Sequence, residues 1–329
     1  MADIDRNRAE SRALEFRVRA ASSVEALLDD PEIGLVVNLT TPQAHHTVSF
    51  AALNAGKHLY SEKPLAVRLE HGHELVERAK SAGLMIGCAP DTVLGAGLQT
   101  ARAILDSGEI GEPVGAQAFM MGPGHESWHP DPAFYYQVGG GPLFDMGPYY
   151  LTALINLFGP VERVTGSART TFATRTVTSQ PRAGEVVRVE TPTHISAVLD
   201  FASGPVVHLT TSFDVQAHSM PFIEVYGSQG SLRVPDPNGF GGAVEVWGSE
   251  TQQWQPVSVV RPYSENSRGL GALDMARALQ EGREPRASGQ VGLHVLETMH
   301  AVLASSRQGM HQTVATPCPR PDPMPTQEL

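Results

Sequence analysis

The residues Gly34-Leu35-Val36-Val37-Asn38-Leu39 form an apolar run set between turn residues, the pattern of a strand buried on both faces of a parallel sheet. Thr41-Pro42 follows as an N-cap with proline at the first helical position, and predicts a helix that reaches Ala55 and stops at Gly56. Strands at 58–61 and 84–88 alternate with a helix over 70–81, and helical segments at 5–15 and 24–28 stand ahead of the first run. A β-α-β-α-β alternation within about ninety residues implies a doubly wound α/β domain with right-handed crossovers.

The pattern changes after Asp91. A helix is predicted over 92–106, closed by Ser107-Gly108, then a strand over 113–121 and a loop over 122–138 rich in Pro, Gly, His and aromatics. The helix expected over 142–158 carries Pro148, which bends it or delays its start. Strand-like segments succeed one another at 161–172, 185–189, 194–201, 206–213, 223–226, 231–234 and 243–247, the pattern of an antiparallel sheet. Two helices, 269–281 and 289–306, precede a Pro-rich tail from Thr316 that is expected to be poorly ordered. The expected division is an α/β domain over 1–91, a second α/β domain with an open, mainly antiparallel sheet over 92–315, and the tail over 316–329.

A chain of 329 residues, 41% hydrophobic and 18% charged, is large enough for two ordinary soluble domains. The net charge of −11 argues against nucleic acid or an anionic membrane as the main partner. Cys88 and Cys318 make no disulfide framework, and Cys88 lies in an apolar run that buries it. There is no apolar run long enough to span a bilayer and no apolar secretory core at the N-terminus, so a reducing cytoplasm is the expected compartment.

Two polar segments interrupt this pattern. Gly56-Lys57-His58-Leu59-Tyr60-Ser61-Glu62-Lys63-Pro64 ends a β-α-β unit and holds Lys63 at the carboxyl edge of the sheet, where ligands bind in open α/β folds. A lone lysine is ordinarily a solvated charge. Burial or a neighbouring charge is expected to lower this one from its usual pKa of about 10.4. Lys63-Pro64 is also a candidate cis peptide. Farther on, Gly139-Gly140-Gly141-Pro142-Leu143-Phe144-Asp145-Met146-Gly147-Pro148-Tyr149 places Asp145 and Tyr149 at i, i+4, on one helix face. Tyr149 is equally a residue type for an amphipathic core.

Between them lies His125-Glu126-Ser127-Trp128-His129, which spells H-E-x-x-H. On a helix that spacing binds zinc, but Gly122-Pro123-Gly124 and Pro130-Asp131-Pro132 leave no room for such a helix, and no third ligand is evident. A substrate loop is the better reading. His125, Trp128 and His129 offer donors and aromatic faces suited to a sugar ring, although the same aromatics also suit plain packing.

These motifs carry a resemblance. Thr41-Pro42…His45, Gly56-Lys57-His58 running into Glu62-Lys63-Pro64, Gly108-Glu109-Ile110-Gly111, and Gly139-Gly140-Gly141…Asp145-Met146-Gly147 are each weak alone. In this order and spacing the chain resembles the glucose–fructose oxidoreductase / inositol dehydrogenase (Gfo/Idh/MocA) family, from Asp3 to about Ser306. The resemblance implies a Rossmann domain, an open-sheet domain, and an NAD- or NADP-dependent oxidoreductase acting on a secondary alcohol of a sugar, polyol or related glycoside. Redox-neutral glycoside cleavage and a non-catalytic ligand sensor of the same fold are the alternatives.

By the same resemblance Lys63 hydrogen-bonds the reacting hydroxyl, Asp145 orients substrate, and Tyr149 stands where the family usually has a histidine as general acid/base. Glu62, Lys63, Thr40, Thr41, Pro42 and His45 meet the dinucleotide. Asp91 stands at a polar substrate contact, and a homodimer or homotetramer through the sheet is implied. Asp3 matches the ribose-binding acid at the end of a second strand and favours NAD, while Arg6 and Arg8 instead suit a 2′-phosphate. The family's first strand and Gly-rich phosphate loop, roughly 30 residues, have no counterpart before Asp3, so the Rossmann domain reads as N-terminally truncated. Either the natural chain starts farther upstream, or dinucleotide binding is weak or lost.

Overall fold

The computed structural model describes residues 1–20 and 23–329. Helices α1 (Arg6–Phe16) and α2 (Val24–Leu28) are capped by the side chains of Asp5 and Ser23, which accept from amides of the first turn. Strand β1 (Leu35–Asn38), helix α3 (Pro42–Asn54), strand β2 (His58–Ser61), helix α4 (Leu69–Ser81) and strand β3 (Ile86–Cys88) then build a parallel sheet in the order β1-β2-β3. Thr41 occupies the N-cap position of α3, but its side chain makes no cap bond; Pro42 alone supplies the start signal.

Two expectations need correction here. Strand β1 is an edge strand and only one of its faces is buried: Val36 and Asn38 point inward, while Val37 is 45% and the following Leu39 71% exposed. Asp3 ends no strand. Its Oδ1 accepts from the Asp5 amide, so it serves the turn ahead of α1.

The helix expected over 92–106 divides into a 3-10 turn (Thr92–Leu94) and α5 (Ala96–Asp106). Gly95 is extended between them and lies so close to Phe240 that a Cβ would collide with its carbonyl oxygen. Strand β4 (Pro113–Met121) leads through the long loop to α6 (Gly141–Asp145) and α7 (Gly147–Phe158). Strands β5 (Val161–Arg169), β6 (Thr174–Thr176), β7 (Val186–Arg188), β8 (His194–Phe201), β9 (Val206–Ser212), β10 (Ile223–Gly227), β11 (Gly230–Val234), β12 (Val244–Gly248) and β13 (Trp254–Val257) follow. Helices α8 (Leu270–Glu281) and α9 (Gly289–Gln308) and strand β14 (Gln312–Thr313) complete the order.

Nine of these strands form one sheet, β13-β12-β11-β10-β4-β9-β8-β5-β14. It is antiparallel except where β4 runs parallel to β9. Strands β6 and β7 pair separately as a hairpin. The strands that the hydrophobic pattern passed over, β6, β13 and β14, are short and largely exposed.

Helix α7 is buried along its whole length, and with α5 and α9 it covers one face of the large sheet. Helix α9 belongs to both cores. Val295, Met299 and Val302 pack with α7 and the large sheet, whereas Leu293 joins the core of the small sheet. Gly292 lets α9 approach closely, because a Cβ there would meet the Cβ of Cys88. Met275 of α8 packs with Tyr60 and Ala89.

The C-terminal tail is docked, contrary to its expected disorder. Cys318 and Met324 are buried, the Met324 amide donates to Gln99 Oε1, and the Ala315 and Thr316 amides donate to the Glu297 carboxylate. Proline removes amide donors but leaves carbonyls, and those of Pro317, Pro321 and Pro323 accept from Gln290, Arg102 and Arg286.

Candidate active site

Turns at the carboxyl ends of β1 and β2 assemble the first wall. Asn38 closes β1 with four hydrogen bonds. Its Oδ1 accepts from Thr40 N (3.1 Å) and Thr40 Oγ1 (2.8 Å), and its Nδ2 donates to His45 O (3.1 Å) and Ser49 Oγ (2.9 Å). The buried ring of His45 then bridges two turns, with Nδ1 2.7 Å from the Pro64 carbonyl and Nε2 2.9 Å from that of Thr40. Glu62 donates its amide to Asn38 O, and its Oε2 accepts from the Lys63 amide at 2.9 Å. Thr40, Thr41, Pro42, His45 and Glu62 are therefore one connected unit, with Asn38 as its organiser. The signal for Asn38 was a single amide side chain at the end of an apolar strand.

Lys63 reaches from this wall to the second. The Lys63-Pro64 bond is cis, as the X-Pro pair suggested. The Lys63 ammonium donates to the Asp145 carbonyl at 2.7 Å and to Asp145 Oδ1 at 3.0 Å, and lies 5.2 Å from the centre of the Tyr149 ring. Asp145 and Tyr149 do not share one helix: α6 ends at Asp145, Met146 breaks the path, and Pro148 opens the first turn of α7. That break leaves the Asp145 carbonyl at a helix C-terminus, free to accept from a cation. Burial alone would lower the Lys63 pKa, but the charge and hydrogen bond of Asp145 outweigh it and carry it above its ordinary value. The expected lowering is thus reversed, and Lys63 is a stable cation.

The loop over 122–138 brings His125 to the same place. The ring of His125 stacks on Tyr135 (3.7 Å between centres, 11°) and meets Phe213 edge-on (4.5 Å). Its Nε2 faces Asp145 Oδ2 at 3.6 Å, and its Nδ1 is buried without a partner. Burial lowers the His125 pKa, only partly offset by Asp145 and Glu126. Burial likewise pushes Tyr135 up to about 12. Trp128 is 62% exposed beside His125, and His129 Nδ1 accepts from the Asp131 amide. The H-E-x-x-H residues form turns and no helix, and Glu126 is turned to Arg175 instead of toward the two histidines.

Among the described residues, His46, His71 and Glu74 also bring three ligand types together. The two imidazoles are stacked nearly parallel (3.9 Å, 14°), so their in-plane lone pairs do not converge on one ion. Asp91 does not join the cluster. It is buried, and its Oδ2 accepts from the Gly269 and Gly271 amides at the start of α8. Near the N-terminus Arg8 lies 3.8 Å from Asp3 and Arg6 pairs with Glu10 at 2.8 Å. A separate groove of about 570 Å³, lined by Phe222, Phe240 and Arg268 among others, holds none of the predicted site residues.

A half-buried cation held by a carboxylate stands at the carboxyl edge of the parallel sheet, where ligands bind in open α/β folds. The comparisons with known proteins agree. Residues 1–89 match the oxidoreductase family with the NAD-binding Rossmann fold, and residues 98–233 match the GFO/IDH/MocA C-terminal domain. The chain belongs to the GFO/IDH/MocA family of oxidoreductases. It is 26% identical to 1,5-anhydro-D-fructose reductase of Ensifer adhaerens over 91% of this chain and 85% of that protein. It is 27% identical to D-xylose dehydrogenase of Paenarthrobacter nicotinovorans over 52% of this chain and 46% of that one. A levoglucosan dehydrogenase solved with NADH and levoglucosan has the same fold, with a TM-score of 0.81 at 20% identity over 96% of this chain and 89% of that one. An NAD-binding oxidoreductase from Klebsiella pneumoniae gives 0.81 at 24% identity over 95% and 89%.

The residues present fit the nicotinamide end of NAD. The turn over Thr40–Pro42 and the Glu62–Lys63 turn stand side by side, tied by His45, and open toward Asp145. No helix among the described residues is long and apolar enough to cross a membrane.

Proposed function

We propose that this chain interconverts a secondary alcohol and a ketone on a sugar, polyol or related glycoside, with NAD(P) as hydride partner. The observation that carries this reading is the Lys63–Asp145 pair, set where the carboxyl ends of β1 and β2 meet α6. NAD(P)+ supplies the hydride acceptor when bound. Lys63, fixed as a cation, stabilises the alkoxide character that develops on the substrate oxygen. Asp145 fixes the ammonium and orients substrate, and the Tyr149 ring supports the ammonium from one side. Thr40, Thr41, Pro42, His45 and Glu62 shape the nicotinamide wall, and Trp128, His129 and Tyr135 face the sugar. Sugar relatives among the family members support the substrate class.

The test is a panel of aldoses, polyols, anhydrosugars and glycosides, each offered with NAD+ or NADP+ while nicotinamide reduction is followed. Net reduction with a sugar is expected. Release of a sugar from a glycoside without net reduction would overturn the dehydrogenase reading. We also propose assembly as a homodimer or homotetramer through the large sheet, where alternate positions such as Val198 and Val206 stay exposed. Light scattering on the purified chain tests it, and a monomer would sink it.

A further inference from the structure

Lys63 is too well held by Asp145 to take a proton, and its ammonium sits over the face of the Tyr149 ring. The group that does take one is found on a different element. We propose that His125 is a catalytic residue, the proton acceptor in alcohol oxidation, and that Arg175 is a positioning residue that holds it against Asp145. The proposal rests on the dehydrogenase reading and names a residue and a support that the reading lacks.

Three observations carry it. First, His125 Nε2 faces the one Asp145 oxygen that Lys63 leaves open: Lys63 binds Oδ1 at 3.0 Å, and His125 stands 3.6 Å from Oδ2. A substrate hydroxyl placed beside Asp145 therefore meets an ammonium on one side and an imidazole on the other. Second, the ring is oriented with care. Tyr135 stacks on one face, Phe213 abuts it edge-on, and the His125 amide donates to Tyr136 Oη at 3.3 Å.

Third, the next residue is anchored by a buried ionic cluster. Glu126 Oε1 pairs with Arg175 Nη1 at 3.0 Å, Glu126 Oε2 accepts from Tyr136 Oη at 2.7 Å, and Arg175 also binds Asp214. Arg175 lies on β6, Asp214 follows β9, and Thr178 and Ser179 beyond β6 donate their amides to the Glu126 carbonyl at 2.8 and 2.9 Å. Glu126 and Arg175 side chains are only 12% and 10% exposed, so the cluster sits out of water where geometry counts most. The β6–β7 hairpin thus clamps the loop that presents His125.

The two environments push their groups apart, and that separates their roles. Lys63 stays charged; His125 stays neutral near pH 7 because burial opposes its charged form. The charged and titratable groups around the imidazole are Asp145 and Lys63 across the cleft, Glu126 and His129 on its own loop, and Tyr135 stacked upon it. In oxidation the carbinol C–H bond breaks and its electron pair leaves as hydride to NAD(P)+. The hydroxyl proton passes to His125 Nε2, and the carbon–oxygen double bond forms. Asp145 stabilises the imidazolium, which releases its proton to solvent.

The experiment compares wild type, His125→Asn, Arg175→Met and Arg175→Lys in the full chain, with the best sugar from the panel. His125→Asn should lower kcat of oxidation by about 10²–10⁴-fold and leave KM within a few-fold, and the acid limb of kcat/KM should vanish. Arg175→Met should shift that limb, and Arg175→Lys should restore part of it. Wild-type kcat with an unchanged acid limb in His125→Asn would overturn the proposal. So would an acid limb near the ordinary lysine pKa of about 10.4.

A second readout needs no turnover: NMR titration of the His125 imidazole in wild type and in Asp145→Asn. Loss of the carboxylate should lower its pKa further, and an unmoved titration would show that the two groups are uncoupled and sink the proposal. If wild type oxidises no sugar, the proposed function falls and the catalytic role of His125 with it, whereas a shifted titration still shows that His125 and Asp145 are coupled.

Discussion

The Lys63 ammonium lies 2.7 Å from the carbonyl oxygen and 3.0 Å from Oδ1 of the same residue, Asp145. A single residue offers it both a helix-terminal dipole and a full charge, so the ammonium is fixed in direction as well as in protonation. Lys63→Ala should abolish measurable turnover while leaving NAD(P) affinity within about an order of magnitude, because the ammonium acts on the developing alkoxide more than on the dinucleotide. Steady-state kinetics with calorimetric binding checks this, and a kcat near wild type would rule out the role.

The pKa of Lys63 is raised on folding, so its contribution to stability is present below the unfolded value of about 10.4 and is lost as pH rises through the folded value. Thermal unfolding from pH 8 to 11 should show an alkaline fall that is weaker in Lys63→Met. An identical fall in both proteins would assign it to other groups.

Burial lowers the pKa values of His125, His294 and His300. The unfolded chain takes up these protons near pH 6.5 and the folded chain resists, so stability should decline as pH falls from about 6.5 toward the folded values. His294 is a defined contributor: its Nε2 accepts from the Val161 amide at 3.0 Å and its Nδ1 donates to the Thr316 carbonyl at 2.8 Å. Protonation forfeits the first bond. His294→Gln should flatten the acid side of a melting-temperature profile, and an unchanged profile would contradict the assignment.

Asn38→Ala removes four hydrogen bonds and leaves Thr40 without its partner. A loss of about 1–3 kcal/mol in stability is expected, with weaker NAD(P) binding because the Thr40–Pro42 turn loosens. Denaturant melts and calorimetry measure both, and unaltered affinity would detach this turn from the cofactor.

A chain ending at Ala315 loses Cys318 and Met324 from the large core and leaves Gln99 Oε1 without the Met324 amide. Its melting temperature should fall, by about 1–2 °C per kcal/mol lost in a chain of this size. No shift would mean that the docked tail contributes nothing.

That Lys63, Asp145 and Tyr149 come together could be anticipated, because each sits in a short stretch dense with glycine or proline at an element boundary; their catalytic roles remain proposals. The cis Lys63-Pro64 bond was legible for the same reason. The break at Met146 was half legible: Pro148 announced a bend without saying that two helices would result. The Glu126–Arg175–Asp214 cluster was invisible, since its members come from a loop, a three-residue strand and a strand end, and no local period links them. The outer face of β1 was misread because an apolar strand reads alike whether it ends up central or at an edge; Val37 and Leu39 differ from Val36 only in what packs over them.

Helix α9 has a mechanical consequence. One rod, with Leu293 in the smaller core and Met299 in the larger, splints the two halves of the cleft together at the Gly292–Cys88 contact. A molecule splinted in this way is expected to unfold in one calorimetric transition in which neither half outlasts the other.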